Sequence, residues 1–314
     1  MKLMIQIPCY NEEKDLPRTL RDLPKTIPGI NVIEILVIDD GSSDKTAETA
    51  RAESADHVLR LKRNRGLAKA FAAGVARALE LGADIIVNTD ADNQYIGADI
   101  ALLVEPILRD EADVVVGDRQ VDRMAHFSGL KKILEKTGSA FVRKLSSTDV
   151  VDVVSGFRAF SREAALHINV LTDFSYTVEN LIQLGSQKFR ILSVPIRASA
   201  PVRKSRLHKG IFHFIVNQIR TMVRSYAMYK ALKAFTMIGL LFFLPGVALG
   251  LRFVYIFVFT SRSTAGHVQS LILAAILIIL SFIFFMMGIL ADLISANRKL
   301  VEKLLVENRR SGKT

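Results

Sequence analysis

The segment Ile85-Ile86-Val87-Asn88-Thr89-Asp90-Ala91-Asp92-Asn93-Gln94 decides how the rest of the chain is read. A short β-branched run stops at two carboxylates one residue apart, which predicts a buried strand delivering Asp90 and Asp92 to the edge of a sheet. Alternate residues of an extended segment point the same way, so both carboxylates can approach one oxygen-seeking cation, with Gln94 on the same parity as a third ligand. Mg²⁺ or Mn²⁺ shared with a diphosphate suits this pattern, because such ions are typically held by one or two carboxylates plus substrate phosphates.

Upstream the same arrangement occurs twice. A strand over residues 2–7 ends in Pro8-Cys9-Tyr10-Asn11-Glu12-Glu13, and a helix follows around residues 15–23. A second strand, 33–38, ends in Asp39-Asp40-Gly41-Ser42-Ser43-Asp44 before a helix over 45–51. The third strand, about 57–61, leads into Asn64-Arg65-Gly66 and an alanine-rich helix reaching Leu81. Gly66 there lets backbone approach a phosphate, or simply lets the helix pack on the sheet. Beyond the two carboxylates come a helix near 99–109, a strand over 113–116 ending Gly117-Asp118-Arg119, and a closing strand over 190–196. Polar side chains gathered at strand carboxyl ends predict a mostly parallel α/β sheet that binds its ligand at that edge.

Charge and hydropathy divide the chain by region. Residues 1–200 are nearly balanced, 26 Lys and Arg against 28 Asp and Glu, whereas 201–233 carry eight basic and no acidic side chains. Two uncharged or nearly uncharged stretches follow, about 234–259 and 268–291, each long enough for the roughly 20 residues that cross a bilayer. Basic residues directly before a span point to anionic lipid or a lipid phosphate and not to nucleic acid, despite the net charge of +11. Lys230, Lys233, Arg298, Lys299, Arg309 and Arg310 flank the outer ends of the hairpin, which puts both termini on the cytoplasmic face. A single cysteine, Cys9, excludes an internal disulfide framework.

The expected organisation is a catalytic domain over 1–200, a basic loop and interfacial amphipathic helix over 201–233, a transmembrane hairpin over 234–291, and a tail over 292–314. Residues 127–145, with Lys131 and Lys132, also show helical apolar spacing, as a membrane-surface helix or a solvated helix on the sheet. Arg203, Lys204 and Arg206 place three cations in four residues, for a diphosphate or lipid phosphate or as a juxtamembrane charge run.

Six short motifs together carry a family resemblance. Pro8-Cys9-Tyr10-Asn11-Glu12, Val37-Ile38-Asp39-Asp40-Gly41-Ser42-Ser43-Asp44-Lys45-Thr46, Asn64-Arg65-Gly66, Asp90-Ala91-Asp92-Asn93-Gln94, Gly117-Asp118-Arg119 and Ser155-Gly156-Phe157-Arg158 stand in the order and spacing of a family-2 glycosyltransferase with the Rossmann-like GT-A fold. More narrowly, the chain resembles the polyprenyl-phosphate glycosyltransferases. That resemblance implies donor contacts from Pro8, Tyr10, Glu12, Asp39, Asp40, Ala91 and Asp92, and Mg²⁺ or Mn²⁺ on Asp90, Asp92 and Gln94. It implies an acceptor phosphate facing Arg119, with Lys131, Lys132, Ser155, Arg203, Lys204 and Arg206 as further acceptor residues, and it makes Asp90, Asp92 and Arg119 the catalytic group. Residues 155–158 would shape the pocket floor. The sequence departs from the commonest pattern at Cys9 and at Asn93 with Tyr95-Ile96-Gly97.

The expected reaction is inverting transfer of a sugar from a UDP- or GDP-sugar to undecaprenyl or dolichyl phosphate in a bilayer. A phosphate monoester is already largely ionised at neutral pH, so this acceptor needs cations and no general base. Two rivals are a non-catalytic membrane adaptor and a polysaccharide synthase, the latter disfavoured by the absence of tryptophan and by only two spans. The helices could also bring copies together as a homo-oligomer.

Overall fold

The structure, a computed structural model, describes residues 1–120, 143, 148–170, 176–199, 231–259 and 268–311. Lys131, Lys132, Arg203, Lys204 and Arg206, and the amphipathic segments expected over 127–145 and 210–233 apart from a few residues, lie outside the described residues. The chain divides into two compact units, Met1–Met222 with Leu305–Thr314, and Val223–Leu304.

The first unit is built on β1 (Lys2–Cys9), α1 (Leu16–Asp22), β2 (Val32–Asp39), α2 (Thr46–Ala52), β3 (His57–Arg60), α3 (Leu67–Glu80) and β4 (Ile85–Asn88). It continues with α4 (Ile100–Leu108), β5 (Val114–Asp118), β6 (Arg158–Ser161), α5 (Arg162–His167), α6 (Tyr176–Ser186) and β7 (Ile191–Pro195). Among the described residues the seven strands form one sheet in the order β3-β2-β1-β4-β6-β5-β7. β1 pairs in parallel with β2 and β4, β2 with β3, and β5 with β7. β6 runs antiparallel to both β4 and β5.

β1 is an unbroken buried run because helices cover both faces of the central strands. Leu3, Ile5, Ile7, Ile85, Val87, Val115 and Ala159 join Leu16, Leu20, Ile100, Leu103 and Val104 in one buried cluster. On α3, a Cβ at Gly74 would stand 2.5 Å from Gln6 Oε1 and 2.7 Å from Ile38 Cδ1, so only glycine lets this helix lie so close to the sheet.

Chain order reverses at β1: β2 and β3 extend the sheet to one side and β4 to the other. Such a switch point leaves a crevice at the carboxyl ends of the strands. β6 has no counterpart among the strands expected from sequence, and its antiparallel direction has a consequence for the site. Asn88, the last residue of β4, pairs with Arg158, the first of β6, so the segment leading into β6 arrives at the crevice from the other direction.

The second unit contains α7 (Ala231–Phe259) and most of α8 (Val268–Arg310), both long and apolar enough to cross a membrane. Ala274, Ser281, Gly288 and Ser295 are buried at seven-residue intervals along α8. Gly246 of α7 fits against Leu277, Ile278 and the Ala274 carbonyl, and Gly239 against the ring of Phe285. Small residues in one seam permit close helix approach, while Leu241, Leu244, Phe257, Ile279 and Phe282 face outward. At about 1.5 Å per residue, a bilayer core of about 30 Å is crossed by roughly 20 residues. α8 has 43 and stays helical through most of the segment expected as a tail. Its last turn belongs to the first unit, where Arg309 donates to the carbonyls of Leu166 and Ile168, both at 2.8 Å.

Candidate active site

Two loops at the crevice are tied to each other by backbone donors and short polar acceptors. After β1, Asn11 N donates to Ser42 Oγ at 2.9 Å, and Glu12 N donates to Thr46 Oγ1 at 2.8 Å. Ser43 N returns a bond to Asn11 Oδ1 at 2.9 Å. Tyr10 is exposed, whereas Asp39 and Asp40 are buried.

The two acids have different partners. Asp40 spends both oxygens on backbone, accepting from Arg65 N and Gly66 N at 2.8 Å each, and burial raises its pKa. Gly66 adopts φ +88°, a conformation suited to glycine, and this turn directs its amides to Asp40. Asp39 accepts from Ser42 N at 2.8 Å through Oδ1, and its Oδ2 lies 3.2 Å from Arg60 Nε as an ion pair. That Oδ2 is buried without a hydrogen-bond partner, so of the two acids Asp39 retains accepting capacity.

Asp90 and Asp92 sit differently from the extended-strand expectation. β4 ends at Asn88, and the carboxylates occupy a turn in which Asn93 has φ +53°. They are gathered by loop curvature instead of strand alternation. The loop is fixed from several sides. Thr19 Oγ1 donates to the Ala91 carbonyl at 2.8 Å, Gly97 N to Asp22 Oδ2 at 2.7 Å, and Ser199 N to the Gln94 carbonyl at 2.8 Å. Gln94 turns its side-chain amide nitrogen onto Asp92 Oδ2 and its backbone nitrogen onto Oδ1, at 3.2 Å for the latter. Burial first, and then the neighbouring Asp92 charge, push the Asp90 carboxyl up to about 7, partly opposed by Arg119.

That electrostatic cost is what a divalent cation would relieve. Among the described residues no group of three or more His, Cys, Asp or Glu side chains is arranged to hold a metal ion. Two carboxylates completed by diphosphate oxygens is, however, a normal coordination for Mg²⁺ or Mn²⁺. The donor set fits such an ion with Asp90 and Asp92 as protein ligands, whereas Gln94 here presents an N–H group to Asp92.

Opposite these carboxylates, Arg119 follows β5 and meets Asp152, which the sequence reading did not single out. Asp152 accepts from Arg119 Nε at 2.6 Å and from Nη2 at 2.9 Å, and also from Ser155 N at 3.1 Å. The signal available was an acid three residues before Ser155, in a segment with no helical or strand periodicity.

Ser155 itself is fully buried and holds the loop from inside. The fully buried Arg158 organises that loop, donating to the carbonyls of Ser155 at 2.8 Å, Val153 at 2.8 Å and Thr177 at 2.7 Å. Burial lowers its pKa to about 10, which still leaves the guanidinium charged at neutral pH. Glu179 is buried on α6.

A doubly wound sheet with acids after β1, β2 and β4 and a paired arginine after β5 is a GT-A arrangement, the fold of a class of sugar-transferring enzymes. The chain belongs to glycosyl transferase family 2, whose profile matches residues 4–168, and is a glycosyltransferase. It is 30% identical over 222 residues to an undecaprenyl-phosphate mannosyltransferase of Micrococcus luteus, covering 67% of this chain and 89% of that one. A dolichol-phosphate mannosyltransferase of Pyrococcus furiosus is 27% identical over 268 residues, covering 82% and 73%. Among solved structures, glucosyl-3-phosphoglycerate synthase from Mycobacterium tuberculosis, in complex with Mn²⁺, UDP-glucose and phosphoglyceric acid, superposes with a TM-score of 0.55. It covers 70% of this chain and 79% of that one at 19% identity, a likeness of fold.

Proposed function

We infer that this glycosyltransferase moves a sugar from a nucleotide sugar to the phosphate of a membrane polyprenyl phosphate. The observation that carries the reading is the pairing, at one sheet edge, of the Asp90 and Asp92 carboxylates with an arginine held by Asp152. Relatives named for undecaprenyl-phosphate and dolichol-phosphate mannosyl transfer, and two helices of bilayer length, support the lipid acceptor.

In this reading the exposed Tyr10 ring covers the nucleobase and Asp39 accepts one of its N–H groups, with Pro8, Glu12 and Ala91 completing the donor cleft. Asp40 acts one layer below, by holding the turn at residues 65 and 66. Asp90 and Asp92 hold Mg²⁺ or Mn²⁺, which when bound offsets charge developing on the departing nucleoside diphosphate. Gln94 would join them after turning its carbonyl oxygen inward.

The acceptor phosphate rests on Arg119, whose position Asp152 sets. One phosphate oxygen forms a bond to the anomeric carbon as the bond from that carbon to the diphosphate oxygen breaks. A single displacement inverts the anomeric configuration. A monoester with its second pKa near 6 needs no base to attack at neutral pH. Lys131, Lys132, Arg203, Lys204 and Arg206 are further cations for the lipid phosphate, Ser155 shapes the floor beneath it, and both termini lie on the cytoplasmic face.

The test is transfer of label from UDP- and GDP-sugars to undecaprenyl and dolichyl phosphate by purified full-length protein with Mg²⁺ or Mn²⁺. A mild-acid-labile glycolipid that is lost with Asp92→Ala supports the reading. Turnover of a donor with no lipid product in any combination would overturn it.

A further inference from the structure

Beneath Asp90 lies a shelf made from the Gly156 peptide. A Cβ placed on Gly156 would stand 3.2 Å from Asp90 Oδ1 and 3.4 Å from Oδ2, so both carboxylate oxygens rest against this bare α-carbon. Gly156 is held on both sides, through the peptide group before it and the one after it. Gly156 N donates to the Tyr95 hydroxyl at 3.3 Å, and the Gly156 carbonyl accepts from Asn88 Nδ2 at 2.9 Å and from the Tyr176 hydroxyl at 3.5 Å. Asn88 Oδ1 in turn accepts from Gln6 Nε2 at 2.9 Å, which anchors the group to β1.

Each tyrosine is itself locked by stacking. Tyr95 lies on Phe157 with ring centroids 4.8 Å apart and planes 7° from parallel, and Tyr176 lies on Phe71 at 3.8 Å and 7°. Both rings are buried, and the Tyr95 hydroxyl is also hydrogen-bonded to the Ser155 side chain. Tyr95 also stands three residues after Asp92, in the same fixed loop. The segment that carries Asp92 therefore grips the shelf on which Asp90 rests, and the two carboxylates are not independent.

We propose that Tyr95 and Gly156 are positioning residues that set the Asp90 carboxylate for a divalent cation, with Tyr176 and Asn88 holding the carbonyl side of the same glycine. The proposal rests on the reading that Asp90 and Asp92 hold that cation together with the donor diphosphate. Tyr95→Phe removes one hydroxyl and keeps the stacked ring. Gly156→Ala pushes a methyl group against the Tyr176 hydroxyl, 3.0 Å from its position, and against the Asp90 carboxylate.

The experiment is Mn²⁺ binding to full-length protein in detergent with saturating UDP or GDP, followed by the electron paramagnetic resonance signal of free Mn²⁺. Losing an outer support of a metal ligand typically costs about 10- to 100-fold in affinity, and Tyr95→Phe is expected near the lower figure and Gly156→Ala near the upper. Excess Mn²⁺ should restore transfer by Tyr95→Phe, which a loss of fold would not allow. Unchanged Mn²⁺ affinity in a folded Tyr95→Phe protein overturns the proposal, whether or not Gly156→Ala folds. Wild-type protein that binds no Mn²⁺ with either nucleotide overturns the underlying metal reading instead.

Discussion

The Arg119 guanidinium meets the Asp152 carboxylate along two parallel hydrogen bonds, 2.6 Å from Nε to Oδ2 and 2.9 Å from Nη2 to Oδ1. Asp152 is almost wholly buried and Arg119 largely so, which makes this a pair with a defined geometry instead of a solvated surface contact.

Asp152→Asn should therefore release Arg119 and lower kcat/KM for the lipid phosphate. Breaking a buried pair costs about 3–5 kcal/mol, corresponding to roughly 10²- to 10³-fold if most of it appears in acceptor use. Arg119→Lys should fall in the same direction, since an ammonium cannot reproduce the two-pronged contact. Steady-state kinetics with varied acceptor decides this; an unchanged acceptor kcat/KM for both variants would separate the pair from acceptor binding.

Asp39 and Asp40 should separate by assay. Asp40→Ala leaves the amides of residues 65 and 66 without their acceptor and should lower stability by about 1–2 kcal/mol, the scale of a lost N-cap. Asp39→Ala should chiefly raise the donor KM. Denaturant unfolding beside donor titration would show the two effects on different variants.

Arg158→Met should destabilise the domain far more than Arg77→Met. Three buried carbonyls lose their donor in the first case, at about 1–3 kcal/mol each. Arg77 makes an exposed i,i+3 contact with Glu80, worth about 0.3–0.5 kcal/mol. Thermal unfolding of both variants measures the gap.

Removing divalent metal with EDTA should abolish transfer, and stability should carry a pH signature of Asp90. Its pKa is about 7 in the folded chain against an ordinary 3.8, so the metal-free folded state binds more protons than the unfolded one between these values. Metal-free stability contributed by this group is therefore greatest at low pH and is lost as pH rises through about 7. Metal-free Asp90→Asn should be more stable than wild type at about pH 8, with an advantage that shrinks as pH falls and is gone below about pH 4. Mn²⁺ with nucleotide should raise the melting temperature of wild type more at about pH 8 than at about pH 6, because protons compete for the same carboxylate.

Much of this was legible in one dimension. β1, β2, β3 and β4 are short apolar runs stopped by polar turns, and that local pattern is enough to predict strands whose carboxyl ends share an edge. The donor-side acids and the Asp90–Asp92 pair stand within a few residues of those strand ends, so their place follows from the chain itself. That both α7 and α8 contain a stretch of bilayer length follows likewise from apolar composition, whereas the continuation of α8 to Arg310 through a charged segment does not.

What the sequence by itself determined was thus the alternation of strand and helix, the acids at the strand ends and the bilayer-length helices, because each is written in contiguous residues. Only the tertiary structure decided the partners. Asp152 lies 33 residues from Arg119, and Gly156 lies 61 from Tyr95 and 68 from Asn88, so no local periodicity links them. Antiparallel β6 brings that distant segment to the carboxylate edge, and the same topology decides that Asp40 holds a turn while Asp39 keeps an oxygen free of hydrogen bonds. Hydrogen-bond partnership depends on approach in space, and strand order and direction in the folded sheet set that approach.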